Sequence, residues 1–260
     1  MPLNYAISQI LTFFVKSNVV KRQKNTYFQF KQFRIDQAHT AMKVSTEACI
    51  LGAWAFTENP QKILDIGTGT GLLSLMLAQR FPNSQIEAVE IEKDAFRQAQ
   101  QNISHSPFYA TIHLHHTSIQ DFAQSSKAST YDLIVCNPPF YANYLQSPDE
   151  KLNMALHQNS LPLEDLAEAI VLLLASQGRA FILLPPFFME KFCLWAKRKN
   201  LFPQKKLHIF HSPKHPILRE IAAFGFYESN LVSENLFIRN EKDEYTNEFK
   251  TLLKDFYLHF

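Results

Sequence analysis

The chain has 260 residues, of which 46% are hydrophobic and 19% are charged, and its formal net charge is +2. This is the composition of a globular protein with a sizeable core, and it excludes a low-complexity or repetitive chain. No apolar run reaches the ~18 to 20 residues of a membrane-spanning helix, and the N-terminus lacks the charge order of a signal peptide. Cys49, Cys136 and Cys193 are too few and too far apart for a disulfide framework or metal-ligand spacing. We therefore expect a cytoplasmic protein that binds no metal and no membrane.

Positive charge is concentrated in two parts of the chain. Lys and Arg outnumber Asp and Glu in residues 1–43 and again in residues 187–225, whereas residues 44–186 carry an excess of acids. Such blocks are usually solvated helix faces, but two blocks that converge in the fold would form a patch that neutralises phosphates. The second interpretation predicts a polyanionic partner. Its candidate contacts are Lys21, Arg22, Lys24, Lys31, Arg34, Lys197, Arg198 and Lys199.

From residue 62 onwards, short apolar runs alternate with stretches of helical periodicity. The apolar runs predict seven strands, at residues 62–67, 85–91, 111–116, 131–136, 179–185, 205–212 and 219–228. Helical patterns occupy residues 71–80, 93–103, 163–176 and 187–200. The alternation predicts an α/β fold with a doubly wound, mostly parallel, seven-stranded Rossmann-like sheet, whose last two strands form an antiparallel hairpin.

Two segments fall outside this alternation. Residues 143–159 follow the fourth strand and predict a loop long enough to serve a function. Residues 1–26 are expected to be an N-terminal extension, and residues 27–260 a single domain.

The loop between the first strand and the first helix has the pattern D-x-G-x-G-x-G, formed by Asp65, Gly67, Gly69 and Gly71. Glycines there let a ligand approach the backbone closely, and the following helix offers free N–H groups. The dinucleotide pattern G-x-G-x-x-G is not met, because residue 72 is Leu72. Asp65 would repel a pyrophosphate, whereas a cationic ligand group suits a carboxylate.

Glu90 ends the second strand, where a carboxylate can accept hydrogen bonds from both hydroxyls of a ribose. S-adenosylmethionine is a nucleoside that also carries a cationic group, so it fits both features. The competing interpretation of these residues is a tight turn with acidic side chains at the surface. Ile91, Ser118 and Ile119 complete the predicted cofactor site. Ile119 is expected to pack on the adenine, and Ser118 or Asp121 to hydrogen-bond to its amino group. An ordinary end of the third strand is the competing interpretation.

The fourth predicted strand ends in the motif Asn137, Pro138, Pro139 and Phe140. The prolines stop the strand because they lack a backbone N–H, so the motif can be a strand terminator only. It also suits methyl transfer to an exocyclic amine. The Asn137 amide oxygen and the Pro138 carbonyl would accept the two N–H hydrogens, and Phe140 would stack on the flat base. These four residues are the candidate catalytic group.

With both motifs in place, the chain resembles class I S-adenosylmethionine-dependent methyltransferases of the N-P-P-[FY] amino-methylating group. Three other segments narrow the resemblance to the bacterial tRNA1(Val) adenine-37 N6-methyltransferase family. They are FQFKQFRIDQAHTAMKVSTEACILGAWA at 28–55, NMALHQNSL at 153–161 and YTNEFKTLLKDFYLHF at 245–260. The resemblance covers residues 27 to 260.

The resemblance implies a tRNA partner and methylation of the exocyclic amine of adenosine 37 in a valine tRNA. It implies that Lys43, Thr46 and Glu47 line the mouth of the cofactor site. Separately, we expect the protein to be a monomer. Ser118 departs from the family, in which Asp often stands at this position. Two other functions remain open: a protein methyltransferase that acts on a glutamine amide, and a non-catalytic RNA-binding protein of the same fold.

Overall fold

The computed structural model describes residues 26–38, 40, 43–139 and 161–260. Its strands are β1 (Tyr27–Gln29), β2 (Arg34–Asp36), β3 (Lys62–Ile66), β4 (Gln85–Glu90), β5 (Ile112–His116), β6 (Tyr131–Cys136), β7 (Leu174–Leu184), β8 (Phe202–Phe210), β9 (Ile217–Gly225) and β10 (Val232–Phe237). Its helices are α1 (Thr46–Trp54), α2 (Leu72–Arg80), α3 (Lys93–Ser104), α4 (Ile119–Ser125), α5 (Leu163–Leu173), α6 (Pro186–Arg198) and α7 (Asn247–Leu253), with a 3-10 turn at Tyr109–Thr111.

The described residues form an eight-stranded sheet in the order β10-β8-β9-β7-β6-β3-β4-β5. From β5 to β7 all neighbours are parallel, so β3, β4 and β6 end at one edge, which we call the carboxyl edge. β9 is antiparallel to both β7 and β8, and β10 lies parallel to β8. β1 and β2 form a separate antiparallel pair.

Helices cover both faces of the sheet because the strand side chains are apolar on both faces. Ile63 packs with α1, α2, α3 and α7 in one core cluster, and its neighbour Leu64 packs with α4, α5 and α6 in the other. Both side chains are fully buried. Burial of a Leu or Ile side chain stabilises a fold by about 1.5–3 kcal/mol. The two clusters therefore hold the strand ends, and the loops that follow them, in fixed positions.

The predicted doubly wound, mostly parallel sheet and its antiparallel hairpin β8–β9 are confirmed. The structure adds β10 at the sheet edge, the β1–β2 pair and the helices α1, α4 and α7, none of which was predicted. The helix predicted at 163–176 ends earlier, because β7 begins at Leu174. Residues 1–25 and 143–159, the main parts of the expected extension and loop, lie outside the described residues. Among the described helices, none combines the length and apolar character needed to cross a membrane.

Candidate active site

The glycine loop after β3 is held open by left-handed backbone. Gly67 and Gly69 have φ values of +70° and +60°, a conformation that strains other residues. The N–H groups of Gly67 and Thr68 donate to the Val89 carbonyl at 2.9 and 3.0 Å, which ties the loop to β4. A Cβ added to Gly67 would meet no atom within 4 Å. The loop therefore presents bare backbone to open space, as close approach of a ligand requires.

Asp65 lies fully buried in β3, two residues before Gly67. Its Oδ2 accepts hydrogen bonds from the hydroxyls of Thr68 and Ser74 at 2.6 and 2.7 Å, and from the Ser74 N–H at 3.1 Å. Within the described residues, its Oδ1 is buried and accepts no hydrogen bond. Burial raises the pKa of Asp65 to about 6, with a further rise from Glu90, against the lowering effect of its hydrogen bonds. A buried carboxylate oxygen without a partner favours a cationic ligand group.

Glu90 reaches the same loop from the end of β4. Its Oε2 accepts a hydrogen bond from the Gly69 N–H and its Oε1 accepts one from the Glu92 N–H, both at 2.8 Å. Burial raises its pKa, while these backbone hydrogen bonds act in the opposite direction. Each carboxylate oxygen has a second lone pair, so Glu90 retains the capacity to accept ribose hydroxyls. The loop, Asp65 and Glu90 together fit S-adenosylmethionine.

Residues 118 and 119 begin a helix instead of ending a strand. Ser118 caps α4, because its hydroxyl accepts from the Asp121 N–H at 3.0 Å and donates to the Asp121 carboxylate at 2.7 Å. The S-x-x-D spacing is a capping signal that the sequence contained. Ile119 is 5% exposed in the core beneath α4, whereas Ile91 is 63% exposed. Among the predicted apolar cofactor contacts, Ile91 is thus the one that presents free surface.

Asn137 directly follows β6, which lies next to β3 in the sheet. Ile66 pairs with Cys136, so the next residues, Gly67 and Asn137, leave the sheet side by side. In the part of the chain that the structure describes, the Asn137 Oδ1 is buried and accepts no hydrogen bond. Pro138 is buried and Pro139 half-buried, which holds the turn rigidly. Phe140 lies outside the described residues.

Among the described residues, the carboxyl edge therefore holds two buried acceptor oxygens without partners, one on Asp65 and one on Asn137. They lie on neighbouring strands, where the sequence predicted the cofactor and the amine. Cys136 precedes Asn137 in the chain and pairs with Ile66, the residue that follows Asp65. Its side chain is fully buried, and burial and the charges of Asp65 and Glu90 raise the pKa of its thiol. Sequence reasoning missed Thr68 and Ser74, whose hydroxyls orient the Asp65 carboxylate. Their only signal was the position of two small polar residues at the loop and the following helix.

The predicted basic contacts are spread over the molecule. Lys21, Arg22 and Lys24 lie outside the described residues. Lys31 donates to the Lys254 carbonyl at 2.5 Å, beside the core cluster that contains α1 and α7. Arg34 pairs with Asp36 at 2.5 Å and lies 4.0 Å from the centre of the Tyr27 ring.

Lys197, Arg198 and Lys199 lie at the far end of α6. This helix starts at the carboxyl edge after β7 and ends before β8, at the opposite edge of the sheet. It packs on the face opposite α1 and α7. Lys197 and Lys199 pair with carboxylates at 3.9 and 2.6 Å, and the Arg198 guanidinium lies over a Trp ring at 4.5 Å. The candidate contacts Lys197, Arg198 and Lys199 thus lie on the face opposite α1. Lys205 of the same basic block lies on the α1 face, over the Trp54 ring at 5.1 Å. The role of these basic residues in binding a polyanion stays a prediction, and so does the assignment of the cofactor contacts.

No cluster of three or more His, Cys, Asp and Glu side chains suited to a metal ion occurs in the described ranges.

Comparison with known proteins agrees with this geometry. Residues 45–160 match the model of the methyltransferase small domain family. A tRNA1(Val) (adenine(37)-N6)-methyltransferase of Dyadobacter fermentans is 43% identical over 242 residues, 91% of this chain and 99% of that protein. The enzyme of the same name from Flavobacterium johnsoniae is 41% identical over 89% of this chain and 99% of that one.

Solved structures support the fold at lower identity. A predicted O-methyltransferase of Agrobacterium tumefaciens is 14% identical and superposes with a TM-score of 0.63, covering 80% of this chain and 95% of that one. The ribosomal protein L11 methylase of Lactobacillus delbrueckii subsp. bulgaricus has a TM-score of 0.50 at 17% identity, covering 74% and 83%.

The fold and the site define a Rossmann-like, S-adenosylmethionine-dependent methyltransferase. The relatives are specific enough to go further, because they share about two residues in five along nine tenths of the chain. The chain belongs to the tRNA1(Val) (adenine(37)-N6)-methyltransferase family, which confirms the resemblance found in its sequence.

Proposed function

We propose that this enzyme methylates the exocyclic N6 amine of adenosine 37 in a valine tRNA, with S-adenosylmethionine as methyl donor. The observation that carries the proposal is a pair of buried acceptors at the ends of neighbouring strands, Asp65 Oδ1 and Asn137 Oδ1, which have no partner within the described ranges. One suits the cationic amino group of the cofactor and the other suits a neutral amine. The named activity of the relatives supports the choice of adenosine 37.

Several groups would hold the cofactor. The Asp65 carboxylate pairs with its amino group, Glu90 accepts from its ribose, and the backbone of Gly67, Gly69 and Gly71 lets it approach. Ile91, Ser118 and Ile119 are the remaining proposed cofactor contacts, of which Ile91 offers exposed apolar surface. When bound, the cofactor supplies a methyl group on a sulfonium, which is electrophilic. The pairing of Asp65 with the amino group needs the ionised carboxylate. Because burial raises the pKa of Asp65 to about 6, the free site is half ionised near that pH and cofactor binding should strengthen as the pH rises through it.

Asn137 acts on the substrate amine. The lone pair of an exocyclic amine is delocalised into the base, which makes the amine a weak nucleophile. The Asn137 Oδ1 and the Pro138 carbonyl would accept its two N–H hydrogens and orient the nitrogen for in-line attack. Burial of the acceptor strengthens this interaction, because no water competes for it. No strong general base is needed, since the nitrogen becomes acidic once it is methylated. Phe140 is proposed to stack on the adenine.

The remaining assignments belong to the same proposal. Residues 27–260 form the methyltransferase domain and residues 1–26 an extension. The enzyme works as a monomer in the cytoplasm, where its tRNA substrate is found. Lys21, Arg22, Lys24, Lys31, Arg34 and 197–199 are its proposed contacts to tRNA phosphates.

The purified protein should methylate an unmodified valine tRNA transcript when supplied with a labelled methyl donor. Digestion to nucleosides and mass spectrometry should find N6-methyladenosine, located at position 37 by fragment analysis. A transcript with uridine at position 37 is the control, because uridine has no exocyclic amine. Label at another position, or transfer to a glutamine amide of a protein but not to tRNA, would overturn the proposal.

A further inference from the structure

The loop that joins β8 to β9, residues 211–216, lies above the candidate active site. We call it the β8–β9 tip. Across the sheet, Leu183 of β7 pairs with Ile221 of β9, which pairs with Leu207 of β8. Asn137 follows Cys136, whose partner is Ile182, so Asn137 stands level with this row.

The hairpin extends beyond that level. β8 continues for three residues past the row and β9 starts four residues before it. At ~3.3 Å per residue, the tip rises about 10 Å above the level of Asn137. β9 is the second strand from β6, which places it about 10 Å to the side. The tip therefore rises beside the position proposed for the target nucleotide.

The tip carries cationic and imidazole side chains without nearby acids in its own sequence. His211, Lys214 and His215 are all exposed, and residues 211–219 contain no Asp or Glu. Within the described residues, Lys214 forms no ion pair, whereas Lys197, Lys199, Lys205 and Lys206 each have a carboxylate partner. On its far side, the neighbouring turn 239–244 carries charges of both signs. Lys214 therefore gives the tip a positive charge that no described carboxylate neutralises through an ion pair.

Hydrogen bonds hold the tip in one shape. Ser212 is 7% exposed, and its hydroxyl lies 2.8 Å from the His215 Nδ1. The His215 N–H donates to the Ser212 carbonyl at 3.0 Å. The rings of His211 and His215 meet edge to face with their centres 5.1 Å apart. A loop ordered in advance loses little entropy when it binds a partner.

We propose that the β8–β9 tip, through Lys214 and the two histidines beside it, binds the backbone phosphates next to the target nucleotide of the tRNA. This inference rests on the proposed function and adds to it the surface that positions the substrate. A nucleotide whose base reaches Asn137 carries a phosphate on each side, and the tip is an exposed cationic feature on the β7 side of Asn137 at that edge. Phosphate contacts fix register and orientation without reading sequence.

Lys214→Glu is the test, with Lys127→Glu as its matched control. Lys127 is an exposed lysine in the loop before β6, at the opposite edge of the sheet. Binding of the unmodified valine tRNA transcript is measured at about 50 and 200 mM salt, because phosphate contacts are salt-dependent. Lys214→Glu should weaken binding about tenfold at the lower salt and reduce the salt slope by about one. It should raise the KM for tRNA and leave the Kd for the cofactor unchanged.

Four outcomes are distinguishable. Loss of affinity in Lys214→Glu alone supports the inference. Equal losses in both variants overturn it, because net charge would then explain the effect. An unchanged Lys214→Glu, beside a wild-type enzyme that methylates the transcript, overturns the inference and leaves the proposed function intact. A wild-type protein that neither binds nor methylates tRNA overturns both.

Discussion

Replacing Asp65 by asparagine should change the stability of the free protein in a pH-dependent way. The pKa of Asp65 in the fold is about 6, above its ordinary 3.8, because the carboxyl is buried. The folded state therefore keeps a proton over a range in which the unfolded chain has released it. The free energy of unfolding falls as the pH rises through this range, and the cost is complete above about pH 6. Between pH 5 and pH 8 the decrease is about 1 to 1.5 kcal/mol.

Asp65→Asn removes this titration. The asparagine oxygen can still accept from Thr68 and Ser74, while its amide N–H group replaces an oxygen that has no partner among the described residues. The free-energy cost of burying that amide does not change with pH. The variant should therefore gain about 1 to 1.5 kcal/mol relative to the wild type between pH 5 and pH 8.

Urea denaturation of both proteins without cofactor, at both pH values, measures this difference. The same variant should bind S-adenosylmethionine about 10- to 100-fold more weakly at pH 8, since a neutral amide cannot pair with an ammonium group. Isothermal calorimetry supplies that number. A stability difference that is the same at pH 5 and pH 8, or that moves the other way, would refute the assignment of a proton to Asp65. Unchanged cofactor affinity would remove Asp65 from the cofactor site.

Two further variants test the catalytic and the distal RNA contacts. Asn137→Ala should retain cofactor binding by calorimetry but lose about 10²- to 10³-fold in radiolabelled methyl transfer, as when one preorganised hydrogen-bond partner is removed; unaltered turnover would exclude its proposed role. Charge reversal at Lys197, Arg198 and Lys199 should weaken tRNA binding and reduce its salt slope, but by less per charge than Lys214→Glu, because two of the three already have carboxylate partners. Filter binding at two salt concentrations compares them, and an equal loss per charge would contradict this ranking.

The parallel core of the fold was predictable because its strands are continuous apolar runs. Residues 62–66 and 131–136 are buried almost throughout, and such runs between helical patterns have few alternative interpretations. β10 gave no comparable signal. Val232–Phe237 is largely exposed at the edge of the sheet, so its strand conformation depends on pairing with β8. Local sequence does not encode a partner that lies more than twenty residues away.

The candidate site was likewise predictable only in part. The sequence identified Asp65, Glu90 and Asn137 by residue type and by their positions after apolar runs. It did not reveal that one oxygen of Asp65 and one of Asn137 would be buried without a partner, because burial of an atom depends on all the elements packed around it. Ser118 shows the converse error. The third strand was predicted correctly to end at residue 116, but the S-x-x-D capping signal at Ser118 was not used to predict the helix that follows it.

The buried thiol of Cys136 has a consequence for the selectivity of the chemistry. A thiolate is a far better nucleophile towards an alkylating group than an exocyclic amine, and Cys136 adjoins Asn137 in the chain. Burial, together with the charges of Asp65 and Glu90, raises the pKa of this thiol and keeps the sulfur protonated. The same two carboxylates that suit the methyl donor thus add to the effect of burial and disfavour alkylation of Cys136 in place of the weakly nucleophilic amine of the substrate.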